Sequence, residues 1–222
     1  RVNSTDIMRF MKAEHGFAKG EKATRRFFDV HIAASGQLFD DANVNTDVKE
    51  GHQRFKAWNR HRIDNWIFFG FGRFSAAFLA EVMRSPEFKD NVRNVVIIDI
   101  NAEEAWRNHV IDHGNAAGLK PQLITSKMES LVSIDYDLEA DSHEHTIAVF
   151  GSADESRNMR SAAAFHKLFD KGHRVKYVLR TRYMDSFPPE FLGSVLGPEV
   201  ILIPSFDWIK AYYEDELMIE KA

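Results

Sequence analysis

The sequence predicts an α/β domain, doubly wound, with a mostly parallel six-stranded sheet, helices on both faces and an N-terminal helical extension. Three observations predict it. From Asn65 onward short apolar runs alternate with helical runs, the pattern that repeated βαβ units impose. The runs Val95–Ile98 and Val200–Ile203 are apolar without interruption, as strands covered on both faces must be. A glycine pair, Gly70 and Gly72, stands where the first strand should turn into the first helix, and glycine tolerates the backbone such a turn needs.

Each element follows from its local pattern. Trp66–Phe71 is read as the first strand, and Phe74–Arg84 as a helix with Phe74, Phe78, Leu79 and Val82 on one face. Val95–Ile100 is the second strand. Ala102–Ala117 is a helix that Gly118 should close in a left-handed conformation. Gln122–Thr125 is a short third strand, and the acidic, weakly patterned stretch from Ser126 to His143 reads as a loop. Thr146–Gly151 is the fourth strand, Asp154–Asp170 a helix and Val175–Arg180 the fifth strand. Pro188 and Pro189 break the chain before a short helix. Val200–Pro204 is the sixth strand, and Ser205 to Met218 the last helix.

Before residue 62 the pattern is different. Ile7, Phe10, Met11, Phe17, Phe27, Phe28, Val30 and Ile32 recur at helical spacing, with Ser4 or Thr5 as an N-cap and breaks near Gly16 or Gly20. Asp40–Gly51 reads as a polar loop, and Phe55 and Trp58 as part of a short helix or extended link. The expected organisation is therefore a helical extension and linker over 1–62, followed by one domain over 63–222.

Composition limits the function classes. With 222 residues, 44% hydrophobic and 28% charged, the chain has the make-up of a soluble globular protein. A net charge of −4 offers no concentrated positive face for nucleic acid. Its apolar runs are strand length, well short of the roughly 20 residues a bilayer span needs, so direct membrane insertion is not expected. The absence of cysteine excludes disulfides, thiolate metal sites and a thiol nucleophile, and fits a reducing compartment; a cytoplasmic location is the expectation.

The chemistry concentrates in Trp66-Ile67-Phe68-Phe69-Gly70-Phe71-Gly72-Arg73-Phe74-Ser75. Gly70 would permit the turn off the strand. Gly72, without a Cβ, would let the diphosphate of a nucleotide approach the helix N-terminus, where unpaired N–H groups supply about half a positive charge. Ser75 stands where a third glycine or alanine is usual for close helix–strand packing. A second strand ending in Asp99, with Ile100 beside it, places an acceptor for ribose hydroxyls, which favours NAD or ATP over a 2′-phosphorylated cofactor. Gly151, Asp154 and Asn158 fall at the end of the fourth strand and the start of the next helix, on the carboxyl side where α/β domains bind ligands. Arg73 is placed to reach a phosphate oxygen, and Arg180 to face the nucleotide or an acidic partner.

These motifs, Gly70-Phe71-Gly72-Arg73-Phe74-Ser75, Val95-Val96-Ile97-Ile98-Asp99 and Asp154-Glu155-Ser156-Arg157-Asn158, in that order, resemble the TrkA-N or RCK nucleotide-binding domains that regulate potassium channels and transporters. The likeness covers about residues 63 to 215. It departs at Ser75 and after the third strand, where Thr125-Ser126-Lys127-Met128 replaces the family's Gly-Asp-Ala/Pro-Thr segment. It implies a Rossmann fold and a cytoplasmic regulatory module that binds NAD or ATP/ADP. It also implies a homo-oligomer working with a membrane channel or transporter subunit at the inner face of a membrane.

Other chemistries find less support. His109 and His113 lie one helical turn apart, yet no carboxylate completes a metalloprotease pattern, and no metal is expected. Phe150-Gly151-Ser152-Ala153-Asp154 is not the Gly-x-Ser-x-Gly elbow of a hydrolase, so no catalytic residue is assigned. Two alternatives remain: an NAD-dependent oxidoreductase on the same fold, and a structural subunit of a larger assembly that has lost its ligand.

Overall fold

A computed structural model of the chain describes residues 53–58, 63, 65–85, 92, 94–115, 118–128, 130, 146–169 and 175–205. The expected N-terminal helices, the Asp40–Gly51 loop, most of the acidic loop before His143 and the helix beyond Ser205 lie outside the described residues.

After a helical stretch over 53–58, the elements alternate. They run β1 (Asn65–Phe69), α1 (Arg73–Arg84), β2 (Asn94–Asp99), α2 (Ala102–His113), β3 (Gln122–Thr125), β4 (Thr146–Phe150), α3 (Glu155–Phe169), β5 (Lys176–Thr181), a 3-10 turn (Met184–Ser186), α4 (Pro189–Leu196) and β6 (Val200–Pro204). The six strands are all parallel, in the order β3-β2-β1-β4-β5-β6. This is the Rossmann-like doubly wound arrangement. The chain works outward from β1 to β3, then returns to the middle and works outward from β4 to β6. The strand order therefore reverses between β1 and β4, and in this fold the crevice for a ligand lies outside the carboxyl ends of the strands at that switch point.

Side-chain alternation along β1 divides the interior in two. Trp66 and Phe68 point to one face, where they join Phe74, Phe78, Leu79 and Val82 of α1 and Ala102 of α2. Ile67 and Phe69 point to the other, where they join Met159, Ala162 and Phe165 of α3 and Leu192 and Leu196 of α4. All five residues of β1 and of β4 are buried, which is why these strands read as continuous apolar runs rather than alternating ones. At the switch point Phe69 and Phe150, paired in register, stack with centroids 4.4 Å apart and planes within 1°.

Phe55 and Trp58 belong to the first of these cores. The indole N–H of Trp58 donates to Glu199, and Arg54 Nη1 donates to the Val200 carbonyl at 2.9 Å. The helical stretch 53–58 thus clasps the start of β6, a long-range contact that spacing alone does not reveal.

The predicted second helix ends early. Gly114, with φ +78°, takes the left-handed position, and its N–H donates to the Val110 carbonyl, so α2 stops at His113 rather than at Ala117. Asn115 then closes the next turn by accepting from the Leu119 N–H at 2.7 Å and donating to its carbonyl at 3.0 Å. Asparagine offers the backbone this alternative to helix; Gly118 is left-handed too, at φ +62°, but in that turn rather than at the helix end. Among the described residues no helix is long and apolar enough to cross a membrane.

Candidate functional site

The crevice is built around Gly70. Its φ of +78° is available to glycine and strained for other residues. Its N–H still donates to the Ile98 carbonyl at 2.9 Å, so the chain leaves the β1–β2 ladder in a single step. A Cβ here would stand 3.1 Å from Met128 Sδ, which makes the methionine after β3 a wall of the turn. No pattern in the sequence singled out Met128.

Gly72 has an ordinary extended backbone, φ −78° and ψ −172°. Its value is spatial: nothing lies within 4 Å of where its Cβ would be. It is the N-cap residue of α1 and makes no side-chain cap, so the first-turn N–H groups keep no side-chain acceptor from that position.

Ser75 faces inward. Its hydroxyl donates to the Gly70 carbonyl at 2.6 Å and is fully buried. The bulk that a third glycine would have removed is removed instead from β4's exit, because a Cβ on Gly151 would fall 1.9 Å from Ser75 Oγ. Phe71 and Phe74 also direct their rings into the core, at 2% and 1% exposure. Their side chains hold the turn in place and leave their backbone to border the crevice.

Asp99 lies at the end of β2, partly buried. One carboxylate oxygen accepts from the Phe71 N–H at 2.8 Å, the other from the Asn101 N–H at 2.8 Å. The carboxylate therefore braces the glycine turn, and each oxygen keeps a second lone-pair direction for a hydroxyl donor. Ile100, next in sequence, is 59% exposed, an apolar surface beside that carboxylate.

On the other side of β1 the predicted residues divide. Asp154 caps α3: its Oδ1 accepts from the Arg157 N–H at 3.0 Å, and its own N–H donates to Ser152 Oγ. Asn158 is wholly buried; its amide donates to the carbonyls of Ser152 and Arg180 at 2.8 Å each and accepts from the Ser152 N–H at 3.0 Å. Both donors and the acceptor are thus committed to tying the end of β4 to the end of β5. Glu155 fastens the segment after β5 by accepting from the Arg182 N–H and the Ser186 hydroxyl at 2.9 and 2.8 Å. That role was not visible in the sequence, because the partners lie 27 and 31 residues away. Arg73 stands exposed at the first position of α1.

Arg180 is the charge on this side. Its guanidinium lies 5.2 Å over the Phe74 ring and reaches Ser205 Oγ and the Gly151 carbonyl only at 3.5 Å. Burial pushes its pKa down to about 10, so it stays charged at neutral pH.

Under the turn, His109 of α2 is 4% exposed, stacked on Trp106 and edge-on to Phe71. Burial, then the neighbouring His113, push its pKa down to about 4, and its Nδ1 has no hydrogen-bond partner. Among the described residues no group of three His, Asp or Glu side chains is arranged to hold a metal.

Compared with family models, curated proteins and solved structures, the chain matches none. The residues fit a nucleotide: open space at Gly72 beside a helix N-terminus, a carboxylate with free lone pairs on one side, and a guanidinium on the other.

Proposed function

We propose that the chain is a regulatory module that binds an adenine nucleotide, NAD or ATP/ADP, across the carboxyl ends of β1, β2 and β4, as the resemblance to TrkA-N and RCK domains implies. The observation that carries the reading is the space at Gly72, where apart from its chain neighbours nothing lies within 4 Å of a Cβ position, at the start of a 12-residue helix. A diphosphate can approach the backbone there, toward the first-turn N–H groups of α1. The lone pairs of Asp99 left over from bracing the turn accept the ribose hydroxyls, and Ile100 offers an apolar surface to the base.

Regulation follows if the bound and free crevice differ in what they favour at a second surface, since a ligand shifts an equilibrium only by its differential affinity. A homo-oligomer coupled to a potassium channel or transporter at the inner face of a membrane is the setting proposed for that relay. Isothermal titration of the purified chain with ADP, ATP and NAD+ tests the binding. Saturable one-to-one binding of at least one of them supports the reading, and the absence of heat and of thermal stabilisation with all three rejects it.

A further inference from the structure

Asp99 and Arg180 flank the glycine turn from opposite sides. Asp99 ends β2, one strand outward from β1, whereas Arg180 lies near the end of β5, beyond β4. The crevice is therefore polar along its length, negative on the β2 side and positive on the β4–β5 side. A ligand lying across it meets these two charges at its two ends.

The positive end is unfinished. A guanidinium carries five N–H donors and its usual partner is a carboxylate or phosphate held by paired bonds. Among the described residues no carboxylate stands within ion-pair distance of Arg180, and its two hydrogen bonds are both 3.5 Å long. Among the described residues its one other partner is the face of Phe74. A partly buried cation left so is costly, and the cost is recovered when an anion arrives. Its Nη1 touches the Gly151 carbonyl, whose residue packs on Phe74 and Ser75 of the first turn of α1. The anion it awaits would thus sit next to the phosphate position at Gly72.

Resting on the nucleotide-binding reading above, we propose that the crevice prefers a nucleotide ending in a phosphate, a nucleoside diphosphate or triphosphate, and that Arg180 neutralises its terminal group. In a nicotinamide dinucleotide the second phosphate of the diphosphate is singly charged and esterified onward, whereas in a nucleoside diphosphate that same phosphate is terminal and carries the extra charge. What extends from the dinucleotide toward β4 and β5 is a ribose and a nicotinamide ring, cationic when oxidised, which leaves Arg180 unpaired or repelled. A mononucleotide with one phosphate reaches the turn and stops there. Only a chain of two or more phosphates ends on an anion at the positive end.

The test is a titration of the full chain with ADP, ATP, AMP and NAD+, repeated with Arg180→Met. ADP and ATP should bind the wild type at least tenfold more tightly than AMP or NAD+. R180M should lose that advantage while its affinities for AMP and NAD+ stay within threefold, and without ligand it should melt no lower than the wild type, since an unpaired cation has been removed. Equal or tighter binding of NAD+ by the wild type overturns the proposal while leaving the nucleotide reading intact. A uniform loss for all four ligands in R180M, with a lowered melting temperature, also overturns it by making Arg180 a structural prop. No binding of any of the four rejects both readings. Should R180M fail to fold, the wild-type ranking of ADP against NAD+ decides alone.

Discussion

The hydroxyl of Ser75 occupies the space that Gly151 leaves by having no side chain: a Cβ on Gly151 would lie 1.9 Å from Ser75 Oγ. Two departures from a bare glycine-rich site thus compensate each other. Serine enters at the first turn of α1, and the bulk it adds is absorbed at the end of β4.

Gly151→Ala should destabilise the chain by about 1–3 kcal/mol, the usual cost of overpacking. Ser75→Ala alone should cost about 1 kcal/mol through the lost bond to the Gly70 carbonyl. Together they should cost clearly less than the sum, because the alanine at 151 gains room when the hydroxyl goes. Denaturant midpoints of the four proteins check this. Strict additivity would mean that the two positions do not share the space.

Asn158 should matter more than Asp154, although both start the same helix. Asn158→Ala strips two carbonyls and one N–H of their partner inside the protein, at about 1–3 kcal/mol for buried groups left unsatisfied. Asp154→Ala removes an exposed N-cap, worth about 1 kcal/mol. Chemical denaturation of both variants gives the ranking, and an inverted order would show that Asn158 is not the tie between β4 and β5.

His109 makes stability depend on pH in a definite direction. Its folded pKa of about 4 lies below the ordinary 6.5, so the unfolded chain takes up the proton first. Stability is then fully present above about pH 6.5 and is lost as pH falls toward 4, with no further loss from this group below that. His113, also lowered by burial and by Arg84, adds in the same direction, while Asp112 opposes it. From pH 7 to pH 5 the loss traceable to His109 should be on the order of 2 kcal/mol, from 1.4 kcal/mol per pH unit below its ordinary pKa. His109→Gln should flatten that part of the profile in urea denaturation at several pH values. An unchanged slope would place the acid sensitivity elsewhere.

Much of this fold was legible because its signals are local. Val95 to Ile98 had to be a buried strand, and the 70–75 segment had to be a turn into a helix, since only glycine and its neighbours decide that. The six strands sit where the apolar runs placed them, with ends that differ by a residue or two. The end of α2 was missed because two glycines compete there, and Gly114 acts first. At the site, sequence order brought Gly70, Gly72 and Asp99 together. It did not reveal that Asp99 holds the Phe71 N–H, that Asn158 spends its amide on backbone, or that Met128 walls the turn. Those roles depend on which atoms meet across the sheet, and residue spacing carries no information about that.

Gly72 is open where a diphosphate would lie, and no packing contact requires a glycine there. Alanine there meets nothing within 4 Å and no backbone strain, so Gly72→Ala should fold with a loss of at most about 1 kcal/mol, as for other N-cap glycines. The decisive measurement is the affinity of G72A for ADP against that of the wild type, by calorimetric titration. G72A should lose at least tenfold in binding while melting almost where the wild type does. Unchanged affinity for ADP would contradict a diphosphate lying at Gly72.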